Sequence, residues 1–259
     1  MPIIVNNAFK VTRKDLGSGN ELCMIEVEEI DAGLKACLDE KFIRICEGNS
    51  GADLPYVKNR LISFLATKKG TNIETGAIAE FFIHTYLNEA GFEPQFLFFN
   101  LEERSIKKGF DGYYLHQREE WFVESKSGSI TTDGISHRGK IKESYDDLKD
   151  KLAGGATNNP WLNAYNHASH MDVKADATVR EHIKAFTKAY EKKTFHDIAD
   201  FNIIPGSTIF LDGGWVAPDM AALEIAINEL ITGFDFKKIR VLCTTKKSIQ
   251  LFWDYLNST

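Results

Sequence analysis

Extended and helical hydrophobic patterns alternate along the whole of this 259-residue chain, and that alternation narrows its fold more than any other feature. Residues 21–30 alternate apolar and polar side chains, the period of a strand. Short apolar runs at 42–46, 95–101, 110–116, 120–125, 203–211 and 239–243 read as further strands. Between them, 55–67, 76–90, 140–152, 161–170, 178–192, 221–231 and 248–256 carry helical spacing, with Pro55 at one start and Gly91 after one end. Strands intermixed with helices predict an α/β fold: a mixed β-sheet flanked by helices, not a string of separate domains.

Composition excludes several classes. No apolar run approaches the roughly 18 residues of a membrane-spanning helix, and the first ten residues lack a secretory pattern, so a cytoplasmic protein with no membrane partner is expected. Cys23, Cys37, Cys46 and Cys243 are widely spaced, which suggests buried thiols and neither a zinc knuckle nor a disulfide framework. The net charge of −6 gives no overall signal for nucleic acid. Two stretches nevertheless carry bases and no acid: 54–73, with Lys58, Arg60, Lys68 and Lys69, and 236–253, with Lys237, Lys238, Arg240, Lys246 and Lys247. They read equally as solvated faces or as surfaces for phosphate. No GxxxxGK[ST] phosphate loop, HExxH zinc motif or GxSxG elbow occurs, and His167 with His170 reads as structural.

The informative stretch runs from Glu80 to Lys126. Six [DE]-x-K triplets occur, beginning at Asp39, Glu124, Asp147, Asp172, Glu191 and Asp235, so the triplet alone decides nothing. Geometry separates them. Glu124 ends an apolar strand, where alternation puts Glu124 and Lys126 on one face and Ser125 on the other. A hairpin closed by Gln117-Arg118 sets Asp111 opposite Glu124, with Cβ atoms about 4.5–5.5 Å apart. Two adjacent carboxylates are destabilising without a compensating cation, and a divalent metal supplies one. Asp111, Glu124 and the Ser125 carbonyl are therefore candidate ligands for Mg²⁺ or Mn²⁺, hard cations that prefer oxygen. Lys126 is a candidate catalytic ammonium, and the chemistry is phosphodiester hydrolysis. Glu80 shares a helix face with Ile83 and Leu87; it either reaches the edge of that face or supplies a further metal or water ligand.

The span from Glu80 through Gly109-Phe110-Asp111-Gly112-Tyr113 and Val123-Glu124-Ser125-Lys126-Ser127-Gly128 resembles the PD-(D/E)xK nuclease superfamily, with Phe110 in place of the name-giving proline. More closely, it is similar to the HamA family, the effector subunits of Hachiman antiphage defence. The resemblance implies a restriction-endonuclease-like core over residues 51–259, with residues 1–50 an N-terminal addition packed on it. It implies Asp111, Glu124 and Lys126 as catalytic residues with Glu80 as the helix acid, and extra site residues at Lys142 and Tyr145. It also implies DNA as substrate and HamB, a superfamily 2 helicase, as the partner that restrains the nuclease. A non-catalytic helicase adaptor and a stand-alone restriction endonuclease are the competing readings.

Overall fold

The computed structural model describes residues 4–5, 8–98, 109–170 and 172–258. Among the described residues eight strands form one mixed sheet: β1 (Ile4–Val5), β2 (Lys10–Gly17), β3 (Asn20–Val27), β4 (Glu93–Pro94), β5 (Gly112–His116), β6 (Glu119–Ser129), β7 (Asn202–Phe210) and β8 (Lys238–Lys246). Their spatial order is β1-β2-β3-β8-β7-β6-β5-β4. The central four, β3-β8-β7-β6, run parallel, and antiparallel hairpins extend the sheet on either side.

Helices cover both faces, as parallel strands require. On one face lie α1 (Ala32–Glu47), α2 (Leu54–Ala66), α3 (Asn72–Glu89) and α8 (Gln250–Asn257); they enclose a core with Ile25, Val123, Ile204 and Leu242. On the other lie α4 (His137–Leu152), α5 (Pro160–Ala168), α6 (Ala177–Glu191) and α7 (Met220–Ile231), around Met24, Phe122, Ile203 and Val241. The two cores alternate residue by residue along each strand, which is the strand period made physical. Helix α3 is buried from Ala77 through Leu87 on every side, and four-residue polar caps such as Asp31 on Leu34 N (2.8 Å) and Ser136 on Gly139 N (3.1 Å) fix other helix starts.

Several elements differ from those read in the sequence. Residues 42–46 lie inside α1, because Leu34, Cys37, Leu38, Phe42, Ile45 and Cys46 form a helical stripe once Asp31 caps its start. Residues 10–17 form β2 despite few apolar side chains, as suits a strand beside an edge. In place of the strand expected at 95–101, Glu93 and Pro94 pair with β5 and Gln95 N donates to Tyr113 O at 2.8 Å; 99–101 lie outside the described residues. The first fifty residues, expected as an addition, supply β2, the interior strand β3 and α1, which packs on α3.

The β5–β6 hairpin carries the register that the turn predicts, with Gly112 opposite Val123 and His116 opposite Glu119. Gln117 and Arg118 both take positive φ, 51° and 66°. That is the backbone of a type I′ turn, which matches strand twist but suits Asn-Gly far better than Gln-Arg. Gln117→Asn/Arg118→Gly is therefore expected to stabilise the chain by about 1 kcal/mol, read as a shift in urea midpoint at unchanged m-value.

Candidate active site

Two glycines prepare the approach to Asp111. Gly109 takes φ 82° and lies directly against the Pro160 backbone, turning the chain into the hairpin. At Gly112 a Cβ would meet Tyr114 Cε2 at 2.8 Å and His84 Cε1 at 3.2 Å, so the missing side chain lets α3 come close to the start of β5. Asp111 then lies one residue before β5, whose pairing with β6 starts at Gly112 opposite Val123. Its Oδ2 accepts from the Ser125 backbone N at 2.8 Å and from Ser125 Oγ at 2.9 Å. Ser125 thus holds Asp111 through donors.

Glu124 and Lys126 project with Phe122 toward α4. Glu124 is buried, and each of its oxygens accepts from a lysine: Oε1 from Lys126 Nζ at 3.2 Å, Oε2 from Lys151 Nζ at 2.6 Å. Asp147 Oδ2 pairs with Lys126 and, at 3.4 Å, with Lys151. Ser144 Oγ donates to the Glu124 backbone oxygen at 2.5 Å, tying α4 to β6.

The electrostatics follow from burial and count. Burial, then the neighbouring Asp111 charge, pushes the Glu124 carboxyl well above the ordinary carboxylate range despite both lysines. Burial opposes the charge on Lys126, but Glu124, Asp147 and Asp111 outweigh it and hold the ammonium above its usual value; Lys151 behaves alike. Burial also opposes ionisation of Asp147, yet hydrogen bonds shared with Glu124 and Lys126 and the Lys151 charge hold it down to about 2. With all three acids ionised, three carboxylates would face two ammoniums, one negative charge in excess, which is why Glu124 is the acid pushed toward its neutral form.

Glu80 enters from the other side of the sheet. It is buried on α3, Oε1 lies 3.1 Å from His84 Nε2, and His84 Nδ1 bonds the Tyr114 hydroxyl. Burial, then the Glu80 charge, raises that hydroxyl's pKa. Among the described residues no group of three or more His, Cys, Asp or Glu side chains is placed to hold a metal ion. Asp111 and Glu124 still fit one: Mg²⁺ keeps several waters and takes one or two carboxylates instead of a full protein cage, and the excess negative charge here is what a cation relieves.

The other sequence candidates go elsewhere. Lys142 is exposed and pairs with Asp146 at 2.5 Å. Tyr145 stacks on Phe234 at 3.7 Å between ring centroids and accepts from Asp235 N at 2.8 Å, so Gly233-Phe234-Asp235 packs on α4. Asp39 lies on α1, bonded to Lys35, and Asp235 pairs with Lys149. Four of the nine bases in the acid-free stretches pair with acids outside them: Lys58 with Asp39, Arg60 with Glu47, Lys238 with Glu119 and Arg240 with Glu21. All four cysteines are buried.

Lys151 is a residue that the sequence reading missed, and Asp147 is one that it named as a triplet and set aside. A signal existed: Ser144, Asp147 and Lys151 recur at helical spacing beside the apolar stripe Ile141, Leu148 and Leu152, where a surface helix would carry them outward.

The HamA family model matches residues 21–209, from β3 to the end of β7, nearly three quarters of the chain. The chain belongs to the HamA family. This agrees with the resemblance to the HamA component of Hachiman antiphage defence carried by the Glu80–Gly128 span. No curated protein matches the chain. Among the described residues no helix is long and apolar enough to cross a membrane.

Proposed function

We propose that this chain is a metal-dependent nuclease of the PD-(D/E)xK type that cleaves DNA, and the effector of an antiphage complex in which the helicase HamB restrains it. The observation that carries the proposal is the buried Glu124 carboxylate, with Asp111 bonded to the adjoining Ser125 and Lys126 on one of the Glu124 oxygens. Asp111, Glu124 and the Ser125 carbonyl would hold Mg²⁺ or Mn²⁺. When bound, the ion supplies Lewis acidity, lowering the pKa of water and offsetting charge on the phosphate. Lys126 keeps an ammonium fixed where negative charge develops, and Asp147 keeps that ammonium from swinging away. Ser125 keeps Asp111 turned toward β6 through its two donors.

The test is degradation of a supercoiled plasmid by the purified chain with Mg²⁺ and with EDTA, beside Glu124→Ala/Lys126→Ala. Cleavage that needs Mg²⁺ and disappears in the double variant is expected. Identical behaviour of the two proteins would establish the adaptor reading instead, and a discrete fragment pattern would favour a sequence-specific restriction enzyme.

A further inference from the structure

We infer that α4 completes this centre: Lys151 is a second ammonium that meets the phosphodiester, and Asp147 is the positioning residue that aims both lysines. The inference rests on the nuclease reading for its substrate and goes beyond the Asp111–Glu124–Lys126 set. Each Glu124 oxygen takes one ammonium, Lys126 at 3.2 Å and Lys151 at 2.6 Å, and one Asp147 oxygen touches both. The four side chains make a closed circuit between β6 and α4.

A purely structural role accounts for this circuit poorly. Helix α4 is already anchored by Ile141, Tyr145, Leu148 and Leu152 in the core, by Ser144 on the Glu124 carbonyl, and by His137 bridging Ser207 (2.6 Å) and Thr245 (3.1 Å) at its start. Ordering two lysines costs side-chain entropy of about 1.5–2 kcal/mol each, and buried ion pairs return little net stability over apolar packing. The circuit is also graded in exposure. Glu124, 2% exposed, is its floor; Lys151 at 18% and Lys126 at 24% are its walls; Asp147 at 35% is its lip. An anion entering past Asp147 meets both ammoniums before the buried carboxylate. A phosphodiester has two non-bridging oxygens, and two fixed ammoniums can take one each.

The experiment uses the full chain with two readouts: plasmid cleavage in Mg²⁺, resolved into kcat and KM, and binding of a short DNA duplex in EDTA across a salt series. Lys151→Met is expected to lower kcat/KM at least tenfold. It should also flatten the slope of log Kd against log salt by about one unit, the signature of one lost phosphate contact. Lys151→Arg should restore the slope and most of the cleavage. Asp147→Asn should lower kcat with KM nearly unchanged. Wild-type slope and cleavage in Lys151→Met would overturn the inference, as would a loss that tracks only the folded fraction measured by circular dichroism. If Glu124→Ala/Lys126→Ala cleaves as wild type does, the nuclease reading fails, and the salt slope still decides whether Lys151 meets phosphate.

Discussion

Glu124→Gln is expected to slow DNA cleavage by about three orders of magnitude while leaving the thermal midpoint at or above that of the wild type. Both halves come from the same geometry. Glutamine keeps the volume and one acceptor oxygen, so one of the two lysine contacts survives, and the lysine that loses its acceptor keeps Asp147. What it removes is the negative charge that a divalent cation and two ammoniums would organise around. The stability half follows from the charge count. With Glu124 neutral, Asp111 and Asp147 balance Lys126 and Lys151. The wild-type carboxyl is raised by burial and by Asp111. A raised acid binds more protons folded than unfolded between its two pKa values, so stability falls as pH rises through that window. At neutral pH the glutamine variant escapes that loss. First-order plasmid cleavage rates and thermal melts on the same preparations check it. Full cleavage by the variant would sink the proposed site. Loss of cleavage together with a large drop in midpoint would make Glu124 a structural acid.

The fold was legible where side-chain period and burial agree. Residues 203–211 and 239–243 are apolar on both faces because β7 and β8 lie in the parallel centre of the sheet, covered by helices on each side. Residues 42–46 misled because a five-residue apolar window looks the same on a strand and on a buried helix; only Asp31, eleven residues earlier, distinguishes them. In the site, the positions of Asp111, Glu124 and Lys126 could be read because hairpin register is simple arithmetic on one turn. Asp147 and Lys151 could not be read that way. They arrive on a helix whose docking on β6 and β7 is a long-range fact, and no local pattern states which helix covers which strand. Glu80 shows the same limit in another form: its burial was readable from its helix face, but its bond to His84 and the further link to Tyr114 belong to tertiary packing.

Lys246→Met is expected to stabilise the chain, by about 3 kcal/mol near pH 6.5 and only about 1 kcal/mol near pH 9.5. Lys246 is the last residue of β8, wholly buried on the face toward α3, and its Nζ has no hydrogen-bond partner among the described residues. Burial pushes its pKa from 10.5 down to about 7. A base depressed in this way binds fewer protons folded than unfolded between those two values. The penalty is therefore full below pH 7 and fades as pH rises toward 10.5. Converted at 1.36 kcal/mol per unit, the shift alone corresponds to about 4–5 kcal/mol at the acidic end. The ammonium also sits 3.8 Å from the centroid of the Phe82 ring, and such a desolvated contact returns about 2 kcal/mol. Methionine has nearly the same length, no charge to desolvate, and packs on the same ring. Urea titrations of both proteins at the two pH values measure the difference. A gain that is equal at both pH values would mean that packing and not the ammonium is responsible. A less stable variant would mean that Lys246 has a partner strong enough to hold its charge, which would make this lysine part of the α3 face that also carries Glu80.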